Sequence, residues 1–185
     1  MRKEFGKKTI ITPLPVLILA TYDEAGVPNA MNAAWGGQYD GNEIFVSLAK
    51  HKTTDNLIAK KAFTVSFATA DTVSESDYFG IASGNHLNKI EKVGFTAVKS
   101  THVDAPIIEQ YPLTLECTVK ELQEDKTGYI LIGEVVNMSA DESILTDGQV
   151  DLGKLKPIMF DSAANKYRVI GDIVADAFAC GKKFF

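Results

Sequence analysis

The sequence has few cysteines, little excess basic charge and no long apolar run. Among its 185 residues the only cysteines are Cys117 and Cys180, which are too few for a disulfide framework and lack the spacing of a zinc site. A net charge of −5 and a pI near 5.2 argue against nucleic acids or anionic membranes as partners, because both require a basic face. No apolar stretch is long enough to cross a bilayer. We therefore expect a cytoplasmic protein with reduced thiols.

The start of the chain has basic residues before an apolar run, an order that resembles a secretory signal peptide. Pro13 and Pro15 interrupt this run and leave only residues 16–20 continuously apolar. That is shorter than the apolar core of a signal peptide, so we expect no cleavage there.

Motifs for metal binding and covalent catalysis are missing as well. The three histidines share no ligand spacing, and no serine lies in a G-x-S-x-G turn. Gly36-Gly37 lacks the third glycine and the following helix of a dinucleotide-binding fingerprint. Cys117 lies within an alternating apolar stretch and is expected to be a buried core residue. We predict no metal site and no catalytic acid, base or nucleophile.

The residues that are present predict one mainly β domain covering residues 1–185. Hydrophobic residues make up 45% of the chain, which is enough for a core without cross-links. Alternating or β-branched stretches predict strands at 16–22, 27–34, 44–49, 63–68, 95–99, 112–122, 128–137, 158–161 and 167–170. Short helices are predicted from Thr53 or Thr54 through Lys61, and at 71–82, 85–93 and 172–179. Many strands without regular βαβ alternation indicate an antiparallel barrel.

One stretch, from Ala30 to Asn56, suits a ligand with an aromatic ring. The only tryptophan, Trp35, follows Asn32-Ala33-Ala34 at the end of a predicted strand, and Ser47-Leu48-Ala49 end the next strand. If these strands are antiparallel neighbours, the two ends lie together. Small residues let a flat ring approach the backbone, and an indole offers a stacking surface.

The residues that follow suit a phosphate group. Residues 50–54 (KHKTT) place two ammonium groups and two hydroxyls at a predicted helix start, where free N–H groups and the helix dipole favour an anion. A structural alternative is open for the same residues, because Thr53 or Thr54 can be a helix cap and the lysines can lie in an exposed loop. Ser83-Gly84 and Lys89 form a second polar group.

Together with the other predicted strands and helices, these residues make nearly the whole chain resemble the flavin reductase-like family of FMN-binding split-barrel proteins, especially its flavoredoxin-type branch. The order and spacing of several sequence segments carry the resemblance. MNAAWGG is similar to the N-x-x-x-W element of that branch. IFVSLAKHKTTDNLIAKKAFTVSF resembles its strand, phosphate-binding turn, helix and next strand, and DYFGIASGNHLNKIEKVGF its middle helical segment. APIIEQYPLTLECTVKEL and YILIGEVVNM match the later hairpin, and KPIMFDSAANKYRVIG the closing strands.

The resemblance implies a split β-barrel with Greek-key connections and short inserted helices, assembled as a homodimer with FMN near the subunit interface. It assigns three groups of residues to the cofactor. These are Asn32, Ala33, Ala34, Trp35, Ser47, Leu48 and Ala49 around the isoalloxazine ring, Lys52, Thr53, Thr54 and Asn56 at the ribityl chain and phosphate, and Ser83, Gly84 and Lys89 from the middle segment. Lys50 is a further candidate, with His51 beside it.

The resemblance also implies that hydride transfer from NAD(P)H to flavin N5 is carried by the cofactors, which fits the missing catalytic side chains. Three functions are open at this point. The first, which we predict, is an NAD(P)H-dependent FMN reductase. The second is a flavoredoxin-like electron carrier that works between protein partners without NAD(P)H. The third is a protein that binds flavin or haem without turnover.

Overall fold

The computed structural model describes residues 1–185 and places a curled sheet of seven strands at the centre of the molecule. The strands are β1 (Leu14–Pro15), β2 (Leu17–Tyr22), β3 (Pro28–Ala33), β4 (Gly36–Asp40), β5 (Glu43–Ala49), β6 (Ala62–Phe67), β7 (Ala97–Lys99), β8 (Pro106–Ile108), β9 (Leu113–Glu124), β10 (Gly128–Ala140), β11 (Leu145–Thr146), β12 (Gln149–Val150), β13 (Ile158–Asp161) and β14 (Lys166–Val169). The helices are α1 (Lys52–Lys60), α2 (Val73–Ile81), α3 (Lys89–Lys92) and α4 (Leu152–Leu155). Three 3-10 turns cover Ala70–Thr72, Glu142–Ile144 and Cys180–Phe184. No helix combines the length and apolar character needed to cross a membrane.

The order of strands in the sheet is β3-β2-β6-β9-β10-β5-β4, and every neighbouring pair is antiparallel. This confirms the predicted mainly β, antiparallel fold. The sheet does not close, and its two edges are β3 and β4. Only Ala34 and Trp35 separate these strands in the chain, and three Cα–Cα steps span at most about 11 Å. The two edges therefore meet at this link, which gives the sheet the form of a split barrel.

The expectation that the strands ending at Trp35 and Ala49 are neighbours in the sheet was wrong. β3 pairs with β2 and β5 pairs with β4 and β10, so four strands lie between β3 and β5 in the sheet order. Residues of β3 and β5 nevertheless lie close together across the split. The backbone N–H of Ser47 donates to Trp35 O at 2.8 Å and so extends the β4–β5 ladder by one pair toward this point.

β2 is apolar along most of its length because both of its faces are covered. Leu17 and Leu19 belong to the core inside the barrel. Ile18 points to the other face, where it packs with Phe79 of α2 and Ile90 of α3. These two helices form an outer layer over β2 and β3, and that layer supplies one wall of the site described below.

One predicted helix is absent, and β4, β8, β11 and β12 are strands that were not predicted. The segment 172–179 is not helical, because its apolar side chains pack against nothing in the chain and Phe178 has a left-handed φ of +58°. Strand β4 was not predicted, since the Gly36-Gly37 pair weakens the strand signal. Gly36 is nevertheless required there, because a Cβ atom would lie 2.7 Å from Phe45 O on the paired strand.

A buried carboxylate fastens the segment between α3 and β9 to the sheet. Glu116 on β9 is 1% exposed and accepts hydrogen bonds from Ser100 Oγ and Asn137 Nδ2 (2.5 Å), with His102 Nδ1 at 3.2 Å. Ser100 Oγ in turn accepts the backbone N–H groups of His102 and Val103, each at 2.9 Å. Burial acts to raise the pKa of Glu116, but these hydrogen bonds outweigh it and hold the pKa below its ordinary 4.5.

Glu116→Ala is expected to lower the free energy of unfolding by about 3 kcal/mol near neutral pH, because buried donors lose their acceptor. The pKa of Glu116 is lower in the folded than in the unfolded protein. The carboxylate therefore contributes its full stabilisation above about pH 4.5, the ordinary pKa, and this stabilisation is lost as the pH falls through the pKa of the folded state. Urea unfolding at about pH 7 and about pH 3 measures this. The difference between wild type and variant should shrink on acidification.

The matched control is Glu121→Ala, which removes an exposed carboxylate from the same strand and should change stability by less than about 0.5 kcal/mol. A Glu116→Ala deficit of equal size at both pH values would contradict the role assigned to the carboxylate.

Candidate functional site

Two adjoining cavities lie where β3, the end of β5, the start of α1 and helix α2 meet. The aromatic cavity, of about 410 Å³, is lined by small and aromatic residues that include Ala33, Ala34, Trp35, Ser47, Leu48, Ala49, Phe160 and Tyr167. The polar cavity, of about 260 Å³, is lined by Asn29, Lys52, Thr53, Ser83, Gly84 and Lys89 among others. Met31, Asn32, His51, Gly80 and Ile81 line both cavities, which therefore form one continuous space.

Three aromatic side chains form a row along the aromatic cavity. Phe160 on β13 is directly opposite Tyr167 on β14, and their ring centroids are 6.1 Å apart. The Trp35 ring lies 6.1 Å from Phe160 on its other side. Trp35 is 60% exposed, so its indole is accessible to a ligand in the cavity. Ala33 and Ala34 contribute only methyl groups to the wall of the cavity.

Helix α2 contributes the carboxylate of Asp77 to the aromatic cavity. Tyr167 donates its hydroxyl to Asp77 Oδ1 at 2.6 Å. Burial and the Asp77 carboxylate raise the pKa of Tyr167 to about 12, so its hydroxyl stays protonated at neutral pH. Asn32 Nδ2 donates to Ser76 O at 3.0 Å and fixes β3 to the helix. Gly80 permits this close approach, because a Cβ atom there would lie 3.2 Å from Asn32 Cβ.

A buried ammonium group dominates the polar cavity. Lys89 is 4% exposed, donates to Phe79 O at 2.8 Å and takes part in no ion pair. Burial lowers its pKa to about 8, because an ammonium group is costly to remove from water. A buried charge without a counterion is unusual in a folded protein. An anionic ligand in the polar cavity would supply that counterion.

The start of α1 adds further groups that suit an anion. Lys52 Nζ lies 3.3 Å from Gly84 O and 3.1 Å from Asp23 Oδ2. Thr53 Oγ1 accepts from Asn29 Nδ2 at 2.8 Å, and the first N–H groups of the helix have no partner within it. Gly84 packs so closely on Asn29 that a Cβ atom would lie 2.0 Å from Oδ1. Only glycine allows this loop to reach the helix start.

His51 lies at the boundary of the two cavities and contributes no charge at neutral pH. Burial, with a smaller effect of the nearby Lys89 charge, lowers the pKa of His51 from its ordinary 6.5. The imidazole is therefore neutral at pH 7, and the lysines carry the positive charge of the site.

The structure brings most of the predicted site residues together. Seven of them line the aromatic cavity, namely Asn32, Ala33, Ala34, Trp35, Ser47, Leu48 and Ala49. Five more line the polar cavity, namely Lys52, Thr53, Ser83, Gly84 and Lys89.

Three predicted residues lie outside both cavities. Lys50 is exposed and forms an ion pair with Glu124 on the β9–β10 hairpin. The residue that caps the helix is His51 and not Thr53 or Thr54. Thr54 is the third residue of α1 and completes a capping box, since its hydroxyl donates to His51 O at 2.6 Å and accepts His51 N–H at 3.0 Å. Asn56 is buried and donates to Thr21 Oγ1 of β2 at 2.9 Å. The turn of the helix directs Thr54 and Asn56 away from the cavities.

Several residues of the site were not found by sequence reasoning. They are Asn29, Met31, Asp77, Gly80, Ile81, Phe160 and Tyr167. Both aromatic residues lie in strands that were predicted, but nothing in the local sequence indicates where the β13–β14 hairpin packs. A polar Asn29 within a short apolar strand is the one local signal that could have been used.

A larger cavity of about 490 Å³ lies at the open end of the barrel. Its walls are mostly apolar and include Ile44, Val65, Phe67, Leu115 and Val135, and no basic residue lines it. It therefore lacks the groups that an anionic ligand requires, and the paired cavities are the better candidate site for such a ligand.

Comparison with known proteins yields a matching family model and several similar structures. The model of the flavin reductase like domain family matches residues 10–160. A protein of Archaeoglobus fulgidus, described as uncharacterized, is 27% identical over 128 residues, which are 68% of this chain and 72% of that one.

The similar solved structures include two flavoredoxins. Flavoredoxin of Desulfovibrio vulgaris (Miyazaki F) has a TM-score of 0.93 and 35% identity, with 98% of this chain and 100% of that chain covered. Flavoredoxin from Methanosarcina acetivorans has a TM-score of 0.92 and 28% identity, with both chains fully covered. Nitrilotriacetate monooxygenase component B from Bacillus cereus, with a TM-score of 0.82, 21% identity and 95% and 98% coverage, shares the fold. These likenesses confirm the expected split-barrel fold.

Replacing Lys89 with methionine is expected to stabilise the ligand-free protein. The pKa of Lys89 is about 8 in the folded protein and 10.5 in the unfolded chain. The buried charge therefore destabilises the folded state fully below about pH 8, and this destabilisation disappears as the pH rises toward 10.5. Lys89→Met should raise the free energy of unfolding by up to about 3 kcal/mol near pH 7. Urea unfolding between about pH 7 and about pH 10 should show this gain disappearing.

Lys92→Met is the matched control, since Lys92 is an exposed lysine on the same short helix and should leave stability nearly unchanged. Destabilisation by Lys89→Met at neutral pH would show that the ammonium group supports the fold rather than a ligand.

Proposed function

We propose that this chain, which belongs to the flavin reductase like domain family, binds FMN across the two cavities and transfers electrons through it. The isoalloxazine ring would occupy the aromatic cavity and the phosphate the polar cavity. The observation that carries this proposal is the shared boundary between a cavity with three aromatic side chains and one with a buried, unpaired ammonium group. Each cavity suits one end of FMN.

The residues present fit the cofactor chemically. Lys89 and Lys52 would neutralise the phosphate, and Thr53 with the free N–H groups of α1 would donate hydrogen bonds to it. Ala33 and Ala34 would let the ring lie close to the backbone beside Trp35. Because they lie outside the cavities, Lys50, Thr54 and Asn56 are not part of the site that we propose.

FMN would supply the redox chemistry, because its ring accepts a hydride or electrons and passes them on. The chain's task is to hold and orient the ring and to shield it. Asp77 holds the Tyr167 hydroxyl in one direction through its 2.6 Å hydrogen bond, and that hydroxyl stays protonated. No side chain of the aromatic cavity has to act as an acid or base for hydride transfer.

We further propose that NAD(P)H is the hydride donor and that the protein is a flavin reductase. Trp35 and Ile81 at the mouth of the aromatic cavity are 60% and 76% exposed, so one side of the cavity is open. A nicotinamide ring could approach a bound isoalloxazine from that side. The match to a flavin reductase like domain supports this direction of electron flow.

A second function, a flavoredoxin-like electron carrier, has its own support. Two flavoredoxins match essentially the whole chain with 35% and 28% identity. A carrier would exchange electrons with protein partners and would not use NAD(P)H.

We also propose that the protein is a homodimer with its FMN sites near the subunit interface, as the resemblance implies. The exposed apolar residues around the mouth of the aromatic cavity support an interface there, because such residues gain from being covered. A cytoplasmic location stays a prediction from composition.

An anaerobic titration separates the two functions. The purified protein is loaded with FMN, and the visible flavin absorbance is followed after addition of NADH or NADPH. Rapid bleaching is expected for a reductase. Bleaching by dithionite or a reduced electron-transfer protein, but by neither nicotinamide, would support the carrier. A protein that does not retain FMN at all would contradict both functions.

The proposed place of the phosphate is tested by comparing FMN with riboflavin, which has the same ring and ribityl chain but no phosphate. Lys52→Ala should weaken FMN binding about tenfold, because a charge-assisted hydrogen bond is lost, and should change riboflavin binding by less than about twofold. Fluorescence titration gives both dissociation constants. Lys50→Ala is the matched control, since Lys50 pairs with Glu124 outside the site and should leave both constants unchanged. Equal losses for both flavins in Lys52→Ala would refute the phosphate contact.

A further inference from the structure

Two apolar surfaces of this chain have no partner within it, and the first is a C-terminal arm that comprises residues 172–185. Every residue of the arm is exposed. Its large apolar side chains are nearly as accessible as in an extended peptide, at 93% for Ile173, 96% for Val174, 99% for Phe178, 83% for Phe184 and 111% for Phe185. The arm therefore makes almost no contact with its own barrel.

The second surface, which we call the sheet face, is the outer side of β5 and β10 and consists of Phe45, Ile130 and Trp35. Residues of β5 alternate between the core and the outside, and Phe45 and Ser47 point outward. Ile130 is directly opposite Ser47 and shares its side of the sheet. Phe45 and Ile130 are 37% and 39% exposed, and Trp35 adjoins them through its hydrogen bond with Ser47.

A groove runs along the sheet face. It has a volume of about 400 Å³ and lies between Trp35, Phe45 and Ile11 of the N-terminal segment. Cavities of roughly 300–1,000 Å³ accommodate ligands larger than one side chain, so this groove can take an aromatic side chain.

We propose that two copies of this chain form a two-fold dimer in which the C-terminal arm of each copy packs on the sheet face of the other. This inference rests on the homodimer of the proposed function and not on FMN. Because arm and sheet face are both present on every copy, one kind of contact is made twice and the assembly closes, as in an isologous dimer.

The apolar area of the arm matches what a stable dimer needs. A buried aromatic side chain removes about 150–250 Å² from water, so three phenylalanines with Ile173 and Val174 amount to roughly 700 Å². A standard interface buries about 800 Å² on each partner. The arm alone nearly reaches that area, and the sheet face adds to it.

The arm also begins in the right place. It follows β14, whose partner strand β13 carries Phe160, and Phe160 contacts Trp35 at the edge of the sheet face. Fourteen residues can extend about 45 Å, which is enough to reach a second copy related by a two-fold axis near this edge. Since Trp35 also lines the aromatic cavity, the partner's arm would cover the open side of the proposed FMN site.

Sedimentation velocity of the FMN-free protein over a range of concentrations tests the arm. The wild type is expected to be a dimer, and a chain that ends at Gly171 a monomer. Phe178→Asp in the arm and Ile130→Lys on the sheet face should each raise the dimer dissociation constant about 30-fold or more, as for central interface residues. Lys182→Ala is the control, because it changes the arm without removing an apolar side chain and should leave the constant within about twofold. Ile130 lines neither cavity of the proposed FMN site.

Mixing the two charged variants tests the exchange itself. A dimer of one Phe178→Asp chain and one Ile130→Lys chain contains one unaltered contact between arm and sheet face, and its other contact pairs opposite charges. The mixture should therefore associate although each variant alone is monomeric. Circular dichroism confirms that both variants are folded, which is expected because both positions are exposed.

Three results would overturn the inference. A monomeric wild type contradicts both the arm contact and the proposed homodimer. A dimer that survives deletion of the arm with an unchanged dissociation constant contradicts the arm contact and leaves the homodimer in place. Variants that stay monomeric when mixed contradict the reciprocal exchange. FMN binding is titrated separately, so its failure in the wild type counts against the proposed cofactor and not against the arm.

Discussion

The two-residue link between the edge strands is the constraint on which the rest of this structure depends. Ala34 and Trp35 join β3 to β4, so at this link the two edges of a seven-stranded sheet cannot lie more than about 11 Å apart. The sheet must curl, and the ends of β3 and β5 meet although four strands lie between them. The Ser47–Trp35 hydrogen bond extends the pairing of β4 with β5 up to the link. The aromatic cavity lies at the junction because small residues there leave space between the two strand ends.

Beside the aromatic cavity, the site contains a buried positive charge that lowers the stability of the ligand-free protein. Lys89 is buried without a carboxylate partner, which destabilises the ligand-free protein at neutral pH. Asp23 already pairs with Lys52, so the two lysines of the polar cavity differ in how much of their charge is compensated. A phosphate would offset the cost at Lys89, and cofactor binding and folding would then stabilise each other. The buried Lys89 charge thus destabilises the ligand-free protein at the place where we expect an anion to bind.

Sequence reasoning predicted most of the strands because alternation of apolar and polar residues is a local property. It brought Trp35 and Ser47 together for the wrong reason, since the two strands are not neighbours in the sheet and meet only because the sheet curls. It placed Thr54 and Asn56 in the site because they follow Lys52, whereas Thr54 bonds to His51 at the helix start and Asn56 to Thr21 of β2. Spacing along the chain identifies a helix start, but side-chain direction there depends on what the helix packs against.

By itself, the sequence determined the strand-rich character, the helix start at residues 50–54 and the small residues beside Trp35, because each depends on neighbours in the chain. Only the tertiary structure decided that Phe160 and Tyr167 complete the aromatic cavity, since both lie more than a hundred positions from Trp35 and reach it through the packing of a late hairpin. The burial of Lys89 is likewise tertiary. Its charge is unpaired because α3 packs beside α2, where Lys89 donates to Phe79 O and meets no carboxylate. The local sequence does not show whether a side chain will find a counterion.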